Sequence, residues 1–235
     1  MQRILKQSKR IRARDAGIDL AKTYEVSEAL RLIKERANSK FDETIEVVFA
    51  CSLDARRGDQ NIRGMVALPA GTGRSVRVAV FAEGEQADQA RSAGAELVGG
   101  TELVDKVLAD KDIDCDLCIA TPSMMAHLSK LGRILGPKQL MPNPKLGTVT
   151  AQVAAAVVLA KKGQASLRSE KQGIVHTIVG KASFDLDALK SNFQAVYEGL
   201  MSMKPDAIKG NLVKKAYISS TMGFSLPIDL AKGLS

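Results

Sequence analysis

The stretch Leu131–Val149, with the sequence LGRILGPKQLMPNPKLGTV, carries more information about the fold than any other part of the chain. Its basic residues are Arg133, Lys138 and Lys145, and no acidic residue interrupts it. Its glycines and prolines are Gly132, Gly136, Pro137, Pro142, Pro144 and Gly147. Glycine permits and proline imposes unusual backbone angles. The stretch is therefore predicted to be an ordered assembly of turns between two helical segments rather than a helix.

The composition of the chain is that of a globular, basic protein. Its 235 residues, 45% of them hydrophobic, allow one large domain or two small ones. The net charge of +8 favours anionic partners. No apolar run approaches the roughly 20 residues that span a bilayer, and the basic start lacks the apolar core of a secretory signal. We therefore expect a cytoplasmic protein rather than one of an organelle.

Positive charge is concentrated at the two ends of the chain. Residues 1–72 hold 14 basic and 10 acidic residues, and residues 158–235 hold 11 and 6. Residues 73–157 hold 9 basic and 10 acidic residues, whereas the first fourteen residues hold six basic ones and no acid. If the chain binds a polyanion, its two ends should bind it and its middle should face away.

The middle of the chain alternates between strand and helix patterns. Strands are predicted at 76–81, 95–98 and 115–120, with helices beginning near Gly84, Thr101 and Pro122. Short connections of this kind predict an α/β layer around a mainly parallel sheet. The glycine-rich turns that hold dinucleotides or nucleotide phosphates are both missing from the sequence. We therefore predict a scaffold rather than a nucleotide site.

The segments on either side have an α+β character. The first holds a helix from Ser27, as N-cap, to about Ala37, and strands at 44–49 and 62–68. The second holds a helix at 152–162 closed by Gly163, a strand at 174–179, an amphipathic helix at 186–203 capped by Asp185, and a last strand at 213–220. Their shared character predicts one domain built from 1–72 plus 158–235, with an α/β domain, 73–157, inserted in it.

One cysteine pair has the spacing of redox and zinc sites. Cys115 and Cys118 form a C-x-x-C sequence, but on a strand these positions would point to opposite faces. Zinc prefers four ligands, and Cys51 stands apart from this pair. We therefore predict that the cysteines are small buried hydrophobes, and we expect no metal and no cofactor.

Several motifs resemble the L-one family of large-subunit ribosomal proteins, and they occur in the family's order. Beside Leu131–Val149 they are KFDETIE at 40–46, DQNIRG at 59–64, GKASF at 180–184 and SSTMG at 219–223. We call Leu131–Val149 the signature loop. Its residues that match the family are Gly132, Arg133, Gly136, Pro137, Lys138, Pro142, Asn143, Pro144, Lys145 and Gly147. The chain departs from the family at Phe224-Ser225, where many members have Pro-Gly or Pro-Ser.

The resemblance implies a two-domain, non-enzymatic constituent of the large ribosomal subunit. Its discontinuous α+β domain would bind large-subunit rRNA at the mobile stalk near the tRNA exit site, and its inserted domain would be a Rossmann-like α/β fold. The family also assists release of deacylated tRNA, and its bacterial members repress translation of their own operon mRNA. The implied partners are large-subunit rRNA, exit-site tRNA, operon mRNA and other ribosomal components, with no membrane.

The resemblance and side-chain chemistry together give a set of candidate rRNA-binding residues. They are Lys40, Phe41, Thr44, Glu46, Arg168, Lys171, His176, Ser219, Thr221, Met222 and Gly223. Phe41 is either an exposed aromatic that packs on RNA or a core residue. Thr44 and Glu46 could bond ribose hydroxyls or form a solvated strand face. Arg168 and Lys171 could pair with phosphates or belong to a basic, solvated hairpin.

Two other functions remain open at this point. One is an enzyme that binds a nucleotide in the α/β middle, against which the missing glycine loop argues. The other is a general, non-ribosomal nucleic-acid binder.

Overall fold

The computed structural model describes residues 11, 15, 17–19, 22–54, 60–206 and 208–230. The six basic residues predicted to contribute at the start of the chain, and Asp59 of the DQNIRG motif, lie outside the described residues. In chain order the main elements are α1 (Val26–Arg36), β1 (Thr44–Cys51), β2 (Arg63–Ala67), β3 (Val78–Phe81), α2 (Glu85–Ser92), β4 (Leu97–Gly99), α3 (Thr101–Asp110), β5 (Leu117–Ala120), α4 (Met125–Leu128), α5 (Gly132–Leu135), α6 (Val153–Lys162), β6 (Gln164–Arg168), β7 (Ile174–Lys181), α7 (Leu186–Ser202), β8 (Val213–Ser220) and β9 (Ser225–Ile228). Short 3₁₀ turns lie at Pro122–Met124, Ser129–Leu131 and Pro144–Leu146.

Contacts between Cα atoms group the chain into two compact units. The first combines 1–62 with 167–235, and the second is 63–166. The predicted division into two domains, with 73–157 inserted in a domain built from 1–72 plus 158–235, remains a prediction. β2 and β6, through which the chain enters and leaves the second unit, pair in a two-stranded sheet.

The first unit is a four-stranded antiparallel sheet in the order β7-β1-β8-β9, covered on one face by α1 and α7. Ile45, Val47 and Phe49 of β1 are fully buried on the helix side. The ring of Phe49 lies 6.2 Å from that of Phe193 on α7. Because successive strand residues point to opposite faces, Thr44 and Glu46 lie on the other, partly open side, as predicted.

The second unit is a parallel sheet in the order β4-β3-β5, as the alternating pattern predicts. Every residue of β3 is buried, because helices cover both faces. Val78 and Val80 pack with α2 and α6, whereas Ala79 and Phe81 pack with α3 and the signature loop. Along the described residues, no helix is long and apolar enough to cross a membrane.

The signature loop is mostly irregular, but it contains one α-helical turn that the sequence prediction excluded. Gly132–Leu135 is that turn, and Leu131 and Leu135, which lie on the same face of it, are fully buried. The turn forms because Leu131, Leu135 and Leu128 share a helical stripe that packs on the sheet. Here the packing of the helically spaced leucines on the sheet outweighed the low helix propensity of glycine.

The rest of the loop is held by short-range hydrogen bonds. The side chain of Asn143 accepts a bond from the N–H of Lys145 at 2.9 Å. The Thr148 hydroxyl accepts from the N–H of Asn143 at 2.8 Å and donates to its carbonyl at 3.1 Å. Val149 then joins Ala120, at the end of β5, in a parallel bridge. Polar turn residues thus fix the backbone that glycine and proline make possible.

Of two predicted helix caps, the position of one is wrong and the position of the other is confirmed. Glu25, not Ser27, occupies the N-cap of α1, and the Ser27 hydroxyl donates to the Glu25 carboxylate at 2.8 Å. Asp185 occupies the N-cap of α7, but its side chain makes no capping hydrogen bond.

The sequence patterns missed two strands. β6 and β9 are short, and β9 contains Pro227, a residue that weakens the pattern of a strand. β9 lies at the edge of its sheet, where a residue without an N–H is tolerated.

Candidate nucleic-acid interface

The segment that leads into β1 and the segment that follows β8 meet at one end of the four-stranded sheet. The N–H of Thr44 donates to the Thr221 hydroxyl at 3.0 Å, although the two residues are 177 positions apart. The N–H of Thr221 returns a bond to the Thr44 carbonyl at 3.1 Å. The KFDETIE and SSTMG motifs are therefore parts of one local structure.

Glu43 holds this structure together from inside. Its side chain is only 2% exposed. One carboxylate oxygen accepts from the N–H of Met222 at 3.1 Å, and the other accepts from the N–H of Ser39 at 3.2 Å. Its backbone carbonyl accepts from the N–H of Ala182 at 2.8 Å. Three chain segments thus converge on one buried acid.

Sequence reasoning missed Glu43, although a signal was present. Extending the two-residue period of β1 backwards from Ile45 and Val47 places Glu43 on their buried side. An acid at an inward position immediately before a strand predicts a buried carboxylate with hydrogen-bond donors around it.

The surroundings of Glu43 favour its charged form. Burial raises the pKa of Glu43, but the hydroxyls of Ser39 and Ser220 and the N–H groups of Met222 and Ser39 together outweigh it and hold this pKa below the ordinary 4.5. The Ser220 hydroxyl is buried and has no partner at ordinary hydrogen-bond distance among the described residues, so it acts on Glu43 as a nearby dipole. A carboxylate that accepts several N–H bonds remains ionised in this way.

The lowered pKa gives a pH-dependent contribution to stability. Glu43→Gln is expected to lower the free energy of unfolding by about 1–3 kcal/mol at pH 7, because it removes a charged acceptor from buried donors. Since the folded pKa lies below 4.5, this difference is fully present above about pH 5 and shrinks as the pH falls through the folded pKa. Urea unfolding of both proteins at pH 7, 5, 4 and 3 measures it. A difference that stayed constant down to pH 3 would contradict the assignment.

Two large apolar side chains project from the structure that Glu43 holds. Phe41 is 53% exposed and Met222 is 45% exposed. Of the two alternatives that the sequence left for Phe41, the exposed position is therefore confirmed and the core position is wrong. We call Phe41, Thr221, Met222 and Gly223 the edge patch. A Cβ on Gly223 would lie 2.2 Å from the Ser220 hydroxyl oxygen, so a larger residue at this turn would force that hydroxyl to move.

The open face of the sheet continues from the edge patch. Glu46 lies between Ile178 of β7 and Ser219 of β8, and Val48 lies between His176 and Tyr217 in the next row. The candidate residues Glu46, His176 and Ser219 therefore share one face.

A further cation, Lys181, lies at the start of this face and was not singled out from the sequence. Its ammonium donates to the Thr44 hydroxyl at 2.8 Å, which orients that hydroxyl. Lys40 is exposed beside Phe41. The Asp42 carboxylate accepts from the N–H and the hydroxyl of Ser183 at 3.1 and 2.7 Å, which fixes the segment that carries Phe41.

Two of the candidate cations lie at the other end of the sheet. Arg168 ends β6, and Lys171 lies in the turn before β7. β7 begins at Ile174, which pairs with Ala50 of β1, and it ends at Lys181, which pairs with Thr44. Ala50 and Thr44 are six residues apart along β1. At about 3.3 Å per residue this is roughly 20 Å. The structure therefore gathers Lys40, the edge patch and the open face, but not Arg168 and Lys171.

The basic residues of the signature loop belong to the second unit. Lys138 forms an ion pair with Asp112, whereas Arg133 and Lys145 are exposed. Within the described ranges, no group of three or more His, Cys, Asp or Glu residues could hold a metal ion.

Comparisons with known proteins give a consistent result over almost the whole chain. The family model described as "Ribosomal protein L1p/L10e family" matches residues 33–224. The protein called "Large ribosomal subunit protein uL1" from Fervidobacterium nodosum is 48% identical over 225 residues, which cover 96% of each chain. Its namesake from Paraburkholderia phytofirmans is 51% identical over 226 residues, covering 96% of this chain and 97% of the relative. The namesake from Paraburkholderia xenovorans gives the same values.

Proposed function

Because the chain belongs to the ribosomal protein L1p/L10e family, a class of structural, non-enzymatic ribosomal proteins, we propose that it binds large-subunit rRNA through the edge patch and the adjoining open sheet face. The observation that carries this proposal is the hydrogen-bonded meeting of KFDETIE and SSTMG, which exposes Phe41 and Met222 together. Exposed apolar groups beside ordered polar ones suit a partner that presents both flat bases and hydroxyls.

The chemistry of this surface fits RNA. An exposed phenylalanine can stack on a base or a ribose, and a methionine packs adaptably beside it. The hydroxyls of Thr44, Ser219 and Thr221 can exchange hydrogen bonds with ribose 2′-hydroxyls, the groups that distinguish RNA from DNA.

Charge on the same surface supports a specific mode of binding. Lys40 and Lys181 supply cations for phosphates, which position the protein without reading sequence. Glu46 is repelled by phosphates, so its place on the open face favours a hydrogen bond from a ribose hydroxyl or a base amino group. Arg168 and Lys171 would contact a second stretch of the RNA, about one strand length away.

In its finer detail the proposal places this RNA at the mobile stalk near the tRNA exit site of cytoplasmic ribosomes. The domain made from both termini, 1–72 plus 158–235, would hold the rRNA around the inserted domain, 73–157, and the protein would assist release of deacylated tRNA. The same RNA surface would bind the chain's own operon mRNA and repress its translation. The similarity to proteins named for the large ribosomal subunit supports the place in that subunit.

Binding measured against salt tests the proposal. Affinity for a stalk rRNA fragment is expected to fall with a log–log slope of roughly −0.7 to −0.9 per phosphate contacted. At matched salt the fragment should bind at least about tenfold more tightly than an unrelated RNA duplex, because the edge patch requires a folded RNA surface.

The same measurements with other nucleic acids and with nucleotides distinguish the two alternative functions. Equal affinity for stalk RNA, an unrelated duplex and bulk DNA would indicate a general nucleic-acid binder and would overturn the specific claim. Calorimetric binding of a nucleotide to the protein would instead favour an enzyme that uses the α/β unit.

A further inference from the structure

The two cysteines of the C-x-x-C sequence lie against one another, contrary to the sequence prediction. Their Sγ atoms are 3.4 Å apart. The expectation that they point to opposite faces was wrong because β5 begins only at Leu117, so Cys115 lies in the loop before the strand. Freed from the strand's alternation, the Cys115 side chain turns back towards Cys118.

Neighbouring contacts hold the loop in this position. The N–H of Asp116 donates to the Arg77 carbonyl at 2.8 Å, and the N–H of Arg77 donates to the Asp116 carboxylate at 3.0 Å. Arg74 binds the other oxygen of the same carboxylate at 2.7 Å. Because Asp116, one of the two residues between the cysteines, is tied to Arg74 and Arg77 in the segment before β3, the closeness of the two sulfurs is a property of the fold.

The two thiols differ in access and in acidity. Cys118 is 1% exposed and packs in the apolar layer with Ala79 and Phe81, whereas Cys115 is only half-buried. The hydrogen bond from the Cys118 thiol lowers the pKa of Cys115, with help from Arg77 and against burial and Asp116. The same contact and burial raise the pKa of Cys118. Access and the lowered pKa thus favour Cys115 as the attacking thiol, and the 3.4 Å contact places Cys118 to attack the Cys115 sulfur afterwards.

We propose that Cys115 and Cys118 are a site of reversible oxidation by low-molecular-weight disulfides. The Cys115 thiolate attacks one sulfur of the small disulfide, forms a mixed disulfide and releases one small thiolate. Cys118 then loses its proton and attacks the Cys115 sulfur, which forms the intramolecular disulfide and releases the second small thiol. The protein gives up two electrons and two protons, and the small disulfide is reduced to two thiols.

Tryptic digestion places Cys115 and Cys118 on one peptide, apart from Cys51, so mass spectrometry can follow their oxidation. Cleavage after Lys111 and Lys130 gives one peptide that contains both Cys115 and Cys118 and not Cys51. The reduced full-length protein is incubated in glutathione buffers of increasing oxidised fraction, quenched with acid, alkylated and digested. The oxidised 112–130 peptide is expected to carry no alkyl group and to be two hydrogen masses lighter than the unalkylated dithiol peptide. Excess dithiothreitol should reverse both changes.

Two substitutions and one internal control separate this site from general thiol oxidation. In Cys118→Ser, Cys115 should retain a glutathione adduct, and in Cys115→Ser, Cys118 should remain unmodified because it is buried. Cys51 should remain reduced in all three proteins, since burial excludes reagents from it and raises its pKa to about 11. An equal adduct on Cys51 and Cys115 would overturn the proposal.

Unfolded protein supplies the last comparison. Half-oxidation of the 112–130 peptide should need at least about a tenfold smaller oxidised fraction in the folded protein than in 8 M urea, because the fold holds the sulfurs together. Equal midpoints would show that the fold contributes nothing and would overturn the proposal. The site lies in the second unit and does not depend on the proposed RNA surface.

Discussion

Replacing Phe41 and Met222 together by alanine is expected to weaken binding to the stalk rRNA fragment by about 30- to 1000-fold. The estimate corresponds to roughly 2–4 kcal/mol, mostly from a lost stacking platform and the rest from lost packing on the RNA. Both side chains are about half exposed in the free protein, so the substitutions should leave the free energy of unfolding nearly unchanged. Fluorescence anisotropy at fixed salt measures the first quantity, and urea unfolding measures the second.

Met201 provides a matched control for this experiment. It belongs to the same unit, is 38% exposed on α7, and lies outside the edge patch. Met201→Ala should change RNA affinity by less than about twofold, because a lone exposed apolar side chain contributes little. If the double substitution and Met201→Ala had equal effects on affinity, the edge patch would not be the RNA contact.

Gly163→Ala is expected to destabilise the protein more than any other single methyl addition that we consider. Gly163 ends α6 with φ of +99°, and an added Cβ would lie 2.7 Å from the backbone nitrogen of Thr72 and 2.9 Å from the Cα of Gly71. The left-handed backbone and the backbone clash together should cost about 2–5 kcal/mol of unfolding free energy. Thermal unfolding followed by circular dichroism should show a Tm lower by roughly 5–15 °C.

Substitutions at two other glycines distinguish the effect of the steric clash on stability from the effect of the backbone angle. Gly147 has φ of +69° but open space around its Cβ position, so Gly147→Ala should cost only about 1–2 kcal/mol. Gly132 begins a helical turn with open space around it, so Gly132→Ala should be neutral or stabilising by up to about 1 kcal/mol. If all three substitutions had the same effect, the close approach at Gly163 would not be the cause of the loss.

Much of the fold follows from local patterns in the sequence. The period of two in β1, the alternating elements of the middle and the closing glycine of α6 all predict what the structure shows. β9 was missed because Pro227 weakens the strand pattern, and β6 because its five residues follow a helix directly. Such short strands exist because a neighbouring strand supplies their hydrogen bonds, which local propensity does not register.

The candidate site was only partly accessible from sequence. Side-chain chemistry and motif order selected Phe41 and Met222, but the central role of Glu43 required knowing that Ser39 and Met222 donate to it. The pairing of Cys115 and Cys118 was likewise hidden, because it depends on a strand beginning two residues later than the pattern predicts.

The sequence by itself determined the family, most of the elements and the chemistry available at each position, because periodicity and motif order are properties of neighbouring residues. Only the tertiary structure decided which of those residues meet. Thr44 and Thr221 lie 177 positions apart, and β1 and β8 bring them within 3.0 Å. The reason is physical: a hydrogen bond needs partners at about 3 Å, and contacts between distant segments are set by sheet pairing and core packing rather than by local sequence.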